Sequence, residues 1–144
     1  MIYRDKLVYF HPARFQIVLM NLDGTNQDLY SFSGIDEYRD PRNFPVELYP
    51  SPEDAKIAFA KWFTPLSGAY MLSDDIVLTC LKIPSEGYIR KDLWQLSQPP
   101  RHIMTMNEIE GYVLGVQNGR IISVEILDNG FCIKRLQLIS LSPE

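Results

Sequence analysis

The chain has 144 residues, a formal net charge of −4, and 46% apolar and 22% charged residues; this excludes a disordered or fibrous chain and allows a core that needs no disulfide or metal staple. Charge is evenly spread, with seven Lys/Arg against nine Asp/Glu in residues 1–72 and the same in residues 73–144, so no basic half exists to neutralise phosphates and nucleic acid is disfavoured as a partner. The N-terminus carries Arg4, Asp5 and Lys6 and no long apolar core, which fits neither a signal peptide nor a membrane span; the expectation is one cytoplasmic domain, 1–144, without membrane contact.

In chain order, strands are expected at "KLVYF" and at "RFQIVLMNL", then a turn at "DGTNQ" and a third strand at "DLYSFSG", together a small N-terminal sheet. The stretch "QIVLMNLDGT" is similar, at Asp23-Gly24-Thr25, to the nucleophile motif of haloacid-dehalogenase-type phosphatases. Asn21 stands where that motif has its nucleophilic aspartate, an amide cannot replace a carboxylate in that step, and the alternating βαβ pattern implied by the resemblance is missing. The loop also lacks the ligand spacing and terminal Glu of an EF-hand, so it is read as a hairpin turn.

Residues 33–50, "SGIDEYRDPRNFPVELYP", contain Pro41, Pro45 and Pro50 and show no periodic spacing, which predicts a long loop. Such loops in compact domains are usually binding segments or disordered, and Tyr38 and Phe44 argue against disorder. Asp36, Glu37 and Asp40 surround these aromatics, and anchor area ringed by steering charge is common interface anatomy. The candidate partner-binding residues are therefore Asp36, Glu37, Tyr38, Asp40 and Phe44, facing a basic protein partner. Arg39 and Arg42 offer the alternative that these acids pair within the loop.

"SPEDAKIAFAKWF" is the clearest helix: Ser51 caps it, Pro52 takes the first helical position, and Asp54 stands where a capping-box acid faces back. Ala55, Ala58, Phe59, Trp62 and Phe63 form one apolar stripe, predicting that the helix packs on a sheet. "SDDIVLTCLKI" reads as a strand. "IRKDLWQL", with Ile89, Leu93 and Leu96 on one side, reads as a short helix, and "RHIMTM" as another strand.

Asn118-Gly119 and Asn129-Gly130 lie between apolar runs and predict two tight type I′ turns, hence a three-strand antiparallel meander over residues 111–139. With two-residue loops, Tyr112 opposes Glu125 and Glu125 opposes Lys134 on one face, while Val113–Val124 and Ile126–Ile133 pair on the other. Farther out both faces become apolar, so a bulge is expected near Lys134-Arg135, or both faces are covered. Most apolar strand faces complete a core, and that is the expectation for the ribbon; an exposed face would instead make a homodimer.

His11 and His102 have no second ligand at metal spacing, and Cys80 and Cys132 sit in apolar runs as buried free thiols. There is no Gly-x-Ser-x-Gly elbow and no phosphate-cradling glycine loop. No catalytic residue, metal or cofactor is nominated; a small enzyme requires His11 or His102 to meet a carboxylate in a cleft. The expected fold class is α+β, a mostly antiparallel twisted sheet with a C-terminal β-meander and one main helix packed on it. The expected function is a non-enzymatic protein-binding module, for which an immunity or antitoxin-like protein masking a basic nuclease is one fit. The competing class is a β-rich domain that binds a small ligand or single-stranded nucleic acid through Tyr88 or Tyr112 beside Lys134 and Arg135.

Overall fold

A computed structural model describes residues 2–3, 6–97 and 99–138, which form mostly antiparallel β-structure in three sheets. The first sheet is a meander of β1 (Ile2–Tyr3), β2 (Lys6–His11), β3 (Gln16–Asn21) and β4 (Asp28–Ser31). Two 3-10 turns, Pro41–Asn43 and Val46–Leu48, punctuate the long loop before α1 (Pro52–Trp62). A middle sheet follows, from β5 (Leu66–Met71), β6 (Ile76–Ile83), β7 (Tyr88–Gln95) and β8 (Arg101–Thr105). The third is β9 (Tyr112–Gln117), β10 (Arg120–Leu127) and β11 (Gly130–Gln137), with β10 in the centre.

The middle sheet is covered on both faces, which is why "IVLTCLKI" is apolar at nearly every position. Successive strand side chains point to opposite faces. Val77, Leu81, Ile83 and Trp94 therefore join Val8, Phe15, Ile17, Leu19 and Phe32 of the first sheet in one core. Leu78, Cys80 and Leu93 meet Ile121 of the third sheet, with Val113, Val116 and Leu136 packed around them, in a second core. The result is three stacked layers of sheet.

Three expectations are corrected. α1 begins as expected, with the Ser51 hydroxyl accepting from the Asp54 amide at 3.1 Å, but it does not lie across a sheet. Its stripe packs on its own preceding loop: Phe44 meets Phe59 and Trp62 at centroid distances of 5.1 and 5.2 Å, and only Ala55 of the helix is buried. The helix had a nearer aromatic surface in sequence, so the fold is more β-rich than an α+β class implies.

Residues 88–95 form a strand, not a helix. Spacings of four residues are common to a helix and to one face of a strand, and Ile89, Lys91 and Leu93 form one face while Arg90, Asp92 and Trp94 form the other.

In the ribbon, Asn118 and Gly119 have φ of 51° and 69°, giving the expected tight turn, but the second loop is Asp128-Asn129, since Leu127 pairs with Gly130. The slip moves the pairing by two residues and keeps the faces: Glu125 opposes Cys132, and Lys134 reaches it diagonally at 2.6 Å. The bulge lies in β9, with Leu114 outside the pairing, so Tyr112 opposes Val124 instead of Glu125.

Gly111, at the entry to β9, has φ of 72°, and a Cβ there would run into the backbone carbonyl of Val124. Neither the carbonyl nor the left-handed backbone can yield cheaply. Gly111→Ala is expected to destabilise the protein by about 2 kcal/mol or more. Urea unfolding checks this, and an unchanged midpoint would refute the close approach.

Candidate functional site

The loop residues expected to contact a partner are drawn into the protein. Tyr38 stacks on Phe15 at 5.1 Å and donates its hydroxyl to the Ala13 carbonyl at 3.0 Å. Phe44 is buried under Tyr49, Phe59 and Trp62. Asp40 caps the 3-10 turn by accepting from the Arg42 amide at 2.9 Å, and pairs with the Arg42 guanidinium, which holds its carboxyl at about 2. Glu37 pairs with Arg90 at 2.6 Å. Asp36 alone of the five has an exposed carboxylate with no ion pair among the described residues.

Glu37 is the outer end of a polar cluster on the face of the middle sheet that meets the first. Alternation puts Arg90 and Asp92 on this face. Asp92 is 1% exposed; Arg90 grips it with Nε at 2.8 Å and Nη2 at 3.2 Å, while Thr105 Oγ1 donates to it at 2.7 Å. The Arg90 pKa is raised, first by its hydrogen bond to Asp92, with burial acting against it. His102 Nε2 stands 2.7 Å from Asp92 Oδ1, and its ring meets Trp94 edge to face at 5.0 Å. One histidine therefore does meet a carboxylate, a pairing that orients an imidazole as a base. Among the described residues, however, Ser and Cys side chains make no hydrogen bond to that ring. The cluster ties loop, β7 and β8 together. His11 is a turn residue: its Nδ1 accepts from the amides of Ala13 and Arg14 at 3.2 and 3.1 Å.

The largest departure from ordinary soluble-protein chemistry lies on the third sheet. Its inner face packs on the middle sheet, as core completion requires, whereas its outer face is open. Tyr112, Leu114, Ile126, Phe131 and Ile133 are each more than half exposed, Ile126 and Phe131 at 72% and 70%, with Ile122 and Val124 between them. Cross-strand pairs Val124–Ile133, Ile126–Phe131 and Val124–Tyr112 make this one continuous apolar surface. Arg120 and Arg135 flank a polar depression at one end, and Asp128 stands in the turn at the other. The signal in the sequence was the ribbon's two apolar faces; assigning only one of them to the core would have exposed this surface.

Tyr88 and Tyr112 both line two adjoining hollows between the middle and third sheets, of about 500 and 450 Å³. Lys134 is held by Glu125, while Arg135 lies at the polar end of the ribbon. Searches against protein-family models, curated proteins and solved structures found no match.

Two outcomes check these arrangements. Asp92→Asn leaves Arg90 without its principal partner and is expected to cost about 3 kcal/mol in chemical denaturation; a loss within error of zero would show that the cluster does not hold the layers together.

Cys80 is a buried free thiol, whose pKa burial pushes up to about 12 from 9.0, whereas Cys132 is half-buried. A raised acid pKa means that the folded state holds its proton while the unfolded state loses it, so Cys80 lowers stability as pH climbs from 9 towards 12. Cys80→Ala is expected to flatten that part of the stability–pH curve, and native-state alkylation at mildly alkaline pH to mark Cys132 well before Cys80. Equal labelling, or an unaltered slope, would contradict the burial.

Proposed function

We propose that the protein is a binding module that works without catalysis, and that its contact surface is the outer face of the third sheet, occupied by a second copy of the same chain. The observation that carries this reading is the continuous apolar surface from Tyr112 across to Phe131 and Ile133. At these exposures the five large side chains present on the order of 600 Å² of surface, at the top of the range for a monomer's largest apolar patch and near the ~800 Å² that each side of a stable interface buries.

Charge supports a second copy as the occupant. Face-to-face packing about a two-fold axis perpendicular to the strands lays the Arg120 and Arg135 end of one copy over Asp128 of the other, twice. Among the described residues these three side chains have no ion pair of their own. Sheets pack face to face about 10 Å apart, a distance that large apolar side chains fill. A basic protein held by the 36–44 loop rests on Asp36 alone, because Glu37 and Asp40 are paired and Tyr38 and Phe44 are packed inside.

Sedimentation equilibrium over a wide concentration range tests the reading. The wild type is expected to dimerise at micromolar concentration. The double variant Ile126→Lys, Phe131→Lys is expected to sediment as a monomer with unchanged circular dichroism, since both positions are solvent-exposed in the single chain. A wild type that stays monomeric throughout, or a variant that dimerises equally well, would sink the proposal.

A further inference from the structure

Lys91 is a cation in an unusual place. Strand alternation in β7 sends it, with Ile89 and Leu93, into the layer between the middle and third sheets, where it is 6% exposed. Its ammonium donates to the Ile109 carbonyl at 2.7 Å and, at longer range, to the Ile89 carbonyl at 3.4 Å. An ammonium has three N–H donors, so one remains beyond these two carbonyls. No carboxylate pairs with Lys91 among the described residues. The other charged groups on the same hollow are committed elsewhere: Arg90 to Asp92 and Glu37, and Glu110 to Lys134. Its cross-strand neighbour Cys80 stays a neutral thiol, and burial lowers the Lys91 pKa. A desolvated ammonium without a counter-ion is costly, and carbonyls supply hydrogen bonds but no net charge.

The surroundings match a ligand that would bring that counter-ion. Lys91 lines the hollow of about 500 Å³, within the ordinary size of a small-molecule site. Asn107 adds a polar group to its wall. The adjoining hollow of about 450 Å³ shares Tyr88, Ile89 and Tyr112 with it and is continued by Pro84 and Val113, an apolar lining. One compartment thus offers a buried positive charge and the other an apolar surface, with two tyrosines bordering both.

We propose that these two hollows form one binding site for a small amphipathic anion, its head group paired with Lys91 and its apolar body lying against Pro84, Ile89 and Val113. The head-group chemistry is a compact carboxylate or phosphate monoester. The site shares Tyr112 with the outer face of the ribbon but is otherwise distinct from it, because Lys91 lies beneath the third sheet.

The test is nuclear magnetic resonance titration of the intact chain with octanoate, octyl phosphate and octylamine at matched ionic strength. Octanoate or octyl phosphate is expected to bind saturably, shifting the amides of residues 87–91 and 105–112, with octylamine at least about tenfold weaker; which anion binds tighter identifies the head group. Lys91→Met is expected to weaken the anion about tenfold or more, whereas Lys61→Met, exposed on α1 and lining neither hollow, leaves it unchanged. Because Lys91→Met removes a desolvated charge, the variant is expected to melt no lower than the wild type without ligand. The proposal is overturned if neither anion binds, if octylamine binds as well, if the shifts fall on residues 122–133 instead, or if Lys91→Met binds like the wild type. Should that variant fail to fold, the comparison of anion with amine on the wild type still decides the matter.

Discussion

The structure depends on one constraint: the middle sheet is buried on both faces. Every strand in it must send alternate side chains into two different layers, so each residue of β6 and β7 is committed by parity to the first sheet or to the third. A one-residue slip would exchange Trp94 with Leu93 and Asp92 with Lys91 between layers, which neither core could accommodate. Registers on either side follow from this. β5 and β8 carry irregularities where their pairing adjusts to the same stack.

Two-sided burial also explains the unusual polar content of the interior. Thr79, Lys91 and Asp92 are buried because the strand's path leaves them nowhere else to point. On the first-sheet side the demand is met: Thr79 accepts from the Trp94 indole at 2.8 Å, and Asp92 is surrounded by Arg90, Thr105 and His102. On the third-sheet side Lys91 finds carbonyls and, among the described residues, no acid. The two faces of one strand thus contain a closed electrostatic network and an open one, and the ammonium of the open one lines a hollow.

The long loop serves the first of these networks. Its composition, aromatics ringed by acids, is the composition of an interface. Part of it faces inward: Tyr38 meets Phe15, Glu37 meets Arg90, and the Arg39 amide donates to Thr64 at 2.7 Å. Partners of this kind lie 23 to 53 residues away along the chain, beyond any local pattern. The ribbon shows the converse. Its alternation was legible, but the face that meets the middle sheet and the face left open carry the same residue types, Ile121 and Leu136 within, Ile126 and Ile133 without.

Sequence by itself determined the local elements whose causes are local: the β2–β3 hairpin, the Ser51-capped helix, the tight Asn118-Gly119 turn, and an antiparallel ribbon with the faces of β10 and β11 correctly grouped. These follow from backbone preferences and from side chains a few residues apart. Tertiary structure alone decided which layer each face joined, that residues 88–95 extend instead of coiling, that α1 packs on its own loop, and that Lys91 lies buried against backbone carbonyls. The physical reason is that burial and charge pairing are set by distant partners, and a four-residue apolar spacing serves a helix or a strand equally until such partners choose between them.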